Sequence, residues 1–198
     1  MLPTVFLSEV VGTAILVLLG CGVVASGAKE FVAGVPVDAA SIATYLAGQM
    51  VGAFLGAVVC WLAYKQHFDE DAPEGYKLGV FSTGPEIRNY GWNFITELIG
   101  TFVLVLFILG LSHWSGGQLG WLGALPVGLL VVGIGTSLGG PTGYAINPAR
   151  DLGPRIAHAV LPIPNKGSSD WAYSWVPVFG PIVGGVIAGL TAGFLLPA

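Results

Sequence analysis

Apolar residues in this chain come in long blocks separated by polar breaks. The blocks run from about Pro3 to Ala25, Ala40 to Tyr64, Trp92 to Leu111, Leu119 to Leu138 and Trp171 to Leu196. Each is about as long as an α-helix must be to cross the ~30 Å hydrocarbon core of a bilayer. The pattern predicts five membrane-spanning helices. The breaks are of unequal length. Ser26 to Ala39 holds Lys29, Glu30 and Asp38, and Asn165 to Asp170 is a short polar turn. Lys65 to Tyr90 is a long break with three cations, Lys65, Lys77 and Arg88, set against Asp69, Glu70, Asp71, Glu74 and Glu86. It has no helical period and is rich in turn formers, so a loop is expected there.

One stretch breaks the rule that charge stays outside the apolar blocks. Gly140-Pro141-Thr142-Gly143-Tyr144-Ala145-Ile146-Asn147-Pro148-Ala149-Arg150-Asp151 follows the fourth block directly and carries an Asn, an Arg and an Asp. Charge at that depth is costly unless it faces protein or water. Asn147 is a good helix-capping residue and Pro148 suits the first helical position. The stretch therefore reads as a loop that dips into the membrane and starts a short helix at Asn147, ending near Val160. Broken helices of this kind are tolerated only where they line a cavity.

Composition agrees with a membrane protein. Hydrophobic residues make up 54% of the chain, charged residues 9%, and the mean hydropathy is +0.80. A soluble domain has roughly a quarter of its residues charged. The net charge of −4 carries no nucleic-acid signal. Cys21 and Cys60 fall inside apolar blocks and read as packing residues, not as a disulfide or metal pair. Glu9 interrupts the first block and no basic region precedes it, so a cleaved signal peptide is not expected. Trp61, Trp92, Trp114, Trp121, Trp171 and Trp175 sit near block ends, where interfacial aromatics belong. Gly48, Gly52 and Gly56 recur at intervals of four, a stripe that suits close helix packing. His113 and His158 read as hydrogen-bonding surface or loop residues. No cofactor, metal site, nucleotide loop or catalytic triad is expected.

The chain also repeats itself. Phe6-Leu7-Ser8-Glu9-Val10-Val11-Gly12-Thr13 is similar to Phe94-Ile95-Thr96-Glu97-Leu98-Ile99-Gly100-Thr101, an offset of 97 − 9 = 88. A weaker match, Gly48 to Gly52 against Gly180 to Gly184, has an offset of 180 − 48 = 132. The first half is thus shorter than the second by 132 − 88 = 44 residues. Paired halves are usual in membrane transporters and channels.

Asn147-Pro148-Ala149-Arg150, preceded by Gly-Pro-Thr-Gly and followed by Asp-Leu-Gly-Pro-Arg, resembles the second signature loop of the aquaporin family. Asp151 after Arg150 points to the glycerol-facilitator branch. The resemblance implies an all-α membrane protein, an inverted-repeat bundle of about five spans plus one re-entrant half-helix. It implies a single channel domain over 1–198: a shortened first repeat 1–64, a loop 65–91 and a second repeat 92–198. The family has six spans and two half-helices. Here the second span and first half-helix are missing, and no second Asn-Pro-Ala occurs.

The resemblance further implies a passive, non-enzymatic, multi-pass channel of the cell membrane. Its solutes would be glycerol, other small polyols and water, and its assembly a homotetramer in the lipid bilayer. The implied pore residues are Asn147, Pro148, Ala149 and Arg150, with Tyr144 and Gly135 at selectivity positions. Asn147 would offer its amide to a passing hydroxyl. Arg150 would bind solute hydroxyls and repel cations. Gly135 would leave space, and Tyr144 would face a solute's carbon backbone. Glu97, Glu9 and Asp151 would brace the dipping loops. Two rival readings are a non-conducting relative or assembly partner of a full-length channel, and a proton-coupled carrier or membrane enzyme using Glu9, Glu97 or a histidine.

Sidedness is open. With alternating spans, Lys65, Lys77, Arg88, Arg150, Arg155 and Lys166 share one side and Lys29 the other. That count places the long loop in the cytoplasm, whereas the family resemblance implies that it lies outside.

Overall fold

The computed structural model describes residues 39–73, 75–115 and 124–196, and among them there are helices and no strands. The first apolar block, the link after it, Cys21, Glu9 and Trp121 lie outside the described residues. The helices are α1 (Ala39–Ala63), α2 (Lys65–Asp69), α3 (Tyr76–Phe81), α4 (Tyr90–Ser115), α5 (Ala124–Thr142), α6 (Pro148–Val160) and α7 (Val176–Leu195). Four of them, α1, α4, α5 and α7, are long and apolar enough to cross a membrane. Helix α6 has 13 residues, about 20 Å at 1.5 Å per residue, too short to cross the ~30 Å core.

The boundaries differ from the sequence pattern where tertiary contacts intervene. The long break is not all loop, since α2 and α3 form within it. Helices this short have little stability of their own. They persist because Phe68 and Phe81 are buried in a cluster with Ala57, Ala157, Leu161 and Ile163. Helix α5 stays helical through Pro141, where a loop was expected, and ends as Gly143 turns left-handed (φ 77°). The Gly143 N–H donates to the Gly139 carbonyl at 2.8 Å, a common helix-ending bond. Helix α7 begins at Val176, not Trp171, with a proline in its first turn. Proline fits there because the first-turn N–H groups lack helical partners.

The described residues form two compact units, one of residues 39–82 and 149–172, the other of 83–148 and 173–196. In the first, α6 lies against α1. A Cβ at Gly153 would meet the Ala53 Cβ at 2.8 Å and the Met50 carbonyl oxygen at 3.2 Å. Among the described residues, a Cβ at Gly48 or Gly52 of the Gly48/Gly52/Gly56 stripe would meet nothing within 4 Å.

In the second unit, α7 crosses α4 at Gly180 and Gly184. A Cβ at Gly184 would overlap the Leu98 carbonyl, and one at Gly180 would lie 2.7 Å from the Glu97 Cβ. Backbones meet here with no side chain between them, as small residues allow in membranes. Gly184→Ala is expected to push α7 off α4 and destabilise the fold by about 1–3 kcal/mol. Unfolding in detergent against Gly189→Ala checks this, since a Cβ at Gly189 meets nothing within 4 Å.

Candidate functional site

The turn before α6 is strained. Tyr144 (φ 43°) and Ile146 (φ 46°) are left-handed non-glycine residues beside left-handed Gly143. Each such residue costs about 1–2 kcal/mol and must be held by its surroundings. Glu97 on α4 supplies much of the hold. One carboxyl oxygen accepts from the Ala145 N–H at 2.9 Å and the other from the Ile146 N–H at 2.7 Å. Glu97 is buried. One turn on, Thr101 donates its hydroxyl to the Glu97 carbonyl at 2.9 Å. Gly100 lets the Ile146 side chain approach, since a Cβ there would lie 2.9 Å from Ile146 Cγ2.

The Tyr144 ring lies against Gly135 of α5. A Cβ at Gly135 would meet the ring at 2.8 Å, whereas one at Gly139 would be in ordinary contact at 3.7 Å. The space left by Gly135 is thus filled by the Tyr144 ring itself. Asn147 and Pro148 follow, with Pro148 the first residue of α6. Asn147, Pro148 and Arg150 are half-buried and Ala149 is buried.

Asp151 is fully buried and engaged by Arg155 one turn on, with Arg155 Nε donating to one carboxylate oxygen at 2.8 Å and Nη2 to the other at 3.0 Å. Arg155 Nη1 donates to the carbonyls of Ser169 at 2.8 Å and Asp170 at 3.1 Å. Asp151 therefore braces the segment after α6, through Arg155. Lys166 closes the far end of α6, donating to the carbonyls of His158, Ala159 and Leu161 at 2.7 Å each. A cation there also suits the negative end of the helix dipole.

His158 is not a surface residue. Its ring is fully buried, with Nδ1 2.8 Å from Ser169 Oγ. It lies outside the four candidate spans. Burial first, then the charges of Lys166 and Arg155, lower its pKa to about 4. No group of three or more His, Cys, Asp or Glu side chains that could hold a metal occurs among the described residues.

The sequence of residues 30–192 matches the family described as Major intrinsic protein. The chain belongs to this family. It is 58% identical over 142 residues to glycerol uptake facilitator protein 3 of Lactiplantibacillus plantarum, covering 71% of this chain and 58% of that protein. It is 57% identical over 141 residues to the glycerol uptake facilitator protein of Bacillus subtilis, covering 70% of this chain and 50% of that one. The chain thus spans between half and three-fifths of the length of these relatives. In fold it is similar to the X-ray structure of the aquaglyceroporin from Plasmodium falciparum, with a TM-score of 0.70 and 24% identity, over 97% of this chain and 96% of that one. The fold is that of an all-helical membrane protein of the major intrinsic protein type.

Among the residues foreseen from sequence, Glu97, Tyr144 and Gly135 come together in one unit, Asn147 directly precedes α6, and Pro148 to Asp151 form its start. Glu9 lies outside the described residues. Sequence reasoning missed Arg155, Lys166 and Asn93 as structural partners. Arg155 stands four residues after Asp151, a spacing that pairs charges on a helix, so that signal was present. Lys166 bonds carbonyls five to eight residues earlier, and Asn93 reaches Pro141, 48 residues on; neither bond is announced by a helical charge spacing.

Proposed function

We propose that this chain forms a passive channel for glycerol, other small uncharged polyols and water. No chemical reaction is involved. The observation that carries the reading is the strained turn before α6, held by both oxygens of buried Glu97. The chain runs on from it into a helix too short to cross the membrane, whose first residues are Pro148, Ala149 and Arg150. The relatives named as glycerol uptake facilitators supply the solute class. In this reading Asn147 and Arg150 offer donors to solute hydroxyls, and the α6 N-terminus repels cations. Tyr144, seated on Gly135, presents its ring to the carbon backbone. The chain acts as one channel domain in the cell membrane, assembled as a homotetramer.

Glycerol uptake by proteoliposomes, followed by light scattering against protein-free vesicles, tests this. Uptake well above the lipid background is expected. Arg150→Ala is expected to raise leak of small cations at least severalfold. Unchanged cation selectivity would remove Arg150 from the filter.

A second reading has its own observation. The first repeat is shorter than the second by 132 − 88 = 44 residues, and Asn-Pro-Ala occurs once. A non-conducting relative that assembles with a full-length channel fits this. Background uptake by folded protein, with co-purification of a full-length homologue, would favour it.

A further inference from the structure

Helix α4 carries a second polar side chain on the Glu97 face, one turn earlier. Asn93 is buried. Its Oδ1 accepts from the Asn89 N–H at 2.9 Å, and its Nδ2 lies 3.2 Å from the Ile87 carbonyl and 3.4 Å from the Pro141 carbonyl. The first two bonds hold the end of the long polar loop. The third reaches the last turn of α5, two residues before Gly143. Glu97 grips the same segment at Ala145 and Ile146.

The backbone from Pro141 to Ile146 is therefore held at both ends by side chains four residues apart on one helix, and Tyr144 lies between the two points. The long loop adds a third contact. Thr83 is buried, and its Cβ would lie 3.1 Å from a Cβ at Gly143. Asn93 does not follow from the internal repeat. At the repeat offset of 88 its counterpart, 93 − 88 = 5, is Val5, which cannot make these bonds.

We propose that Asn93 is a positioning residue for solute selection. It ties the end of the long loop and the end of α5 to the helix that carries Glu97, and so sets the backbone from which Tyr144 projects. The selectivity part of this rests on the channel reading above; the positioning part does not. An amide suits the task because it accepts and donates at once. An Asp here would keep the acceptor for the Asn89 N–H but set a carboxylate against two carbonyls.

The test has two readouts. Hydrogen exchange in detergent follows the amides of residues 143–146, with the middle of α4 as the check on folding. Asn93→Ala is expected to speed exchange of that turn about tenfold, the size that loss of one neutral hydrogen bond allows. Asn93→Ser, smaller and still polar, is the second variant if Asn93→Ala does not fold. Unchanged exchange of the turn in a folded variant overturns the positioning role. In proteoliposomes, the ratio of glycerol to xylitol permeability is expected to fall severalfold in the same variant, as the tyrosine loses its fixed pose. An equal loss for both solutes overturns the selectivity part and leaves a purely structural role. Wild-type uptake at background would defeat the channel reading instead, and the exchange result would still decide whether Asn93 holds the turn.

Discussion

Asp151→Asn is expected to destabilise the folded protein by about 3–5 kcal/mol, the cost of leaving a buried charge without its partner. Both side chains of the Asp151–Arg155 pair are fully buried, and both carboxylate oxygens receive a bond. Asparagine can accept at one position only and leaves the guanidinium uncompensated. Arg155→Lys is expected to restore little relative to Arg155→Met. An ammonium cannot meet a carboxylate in two places while also reaching the carbonyls of Ser169 and Asp170. Joint replacement of both residues by apolar ones should cost less than either single change, because it removes both charges together. Denaturant or thermal unfolding of the four variants in detergent measures this. Single variants within about 1 kcal/mol of wild type would mean that solvent reaches the pair.

Glu97→Gln should loosen the turn before α6. Glutamine keeps one acceptor oxygen for the Ala145 or Ile146 N–H and points an NH2 group at the other. One buried backbone donor is then left facing a donor, at about 1–3 kcal/mol. The left-handed conformations at Tyr144 and Ile146 lose support at the same time. The variant's stability against unfolding and its glycerol uptake should fall together. A different outcome would revive the proton-relay reading, namely wild-type stability with loss of a pH-dependent flux. Glu97→Ala, which removes both acceptors, is expected to be worse than Glu97→Gln in both measurements.

The positive-inside count and the family resemblance disagree over where the long loop lies, and several of the counted cations are held within the fold. Lys77 is buried and donates to the Pro164 carbonyl at 2.7 Å. Lys166 is spent on three helix-end carbonyls and Arg155 on Asp151. Charges bound internally report on packing and not on sidedness. A count along the chain has no means of telling the two apart.

The apolar blocks that became α1, α4, α5 and α7 were legible because a span needs about twenty apolar residues in a row. The start of α6 was legible because capping asparagine and first-turn proline are local signals. The role of Glu97 could be suspected from a buried acid in an apolar block, but the two amides it meets lie 48 and 49 residues away. The short helices α2 and α3 could not be read at all, since five or six residues hold no period and only burial of Phe68 and Phe81 keeps them folded. Gly135 reads as empty space in the sequence, yet in three dimensions it is the seat of the Tyr144 ring. By itself the sequence determined what is encoded within a few residues: which segments enter the membrane, where the half-helix begins, and which residue types stand there. Only the tertiary structure decided which groups meet, because bonds from Asn93, Glu97, Lys77 and Arg155 close over distances of 14 to 87 residues, and no local pattern specifies a partner that far along the chain.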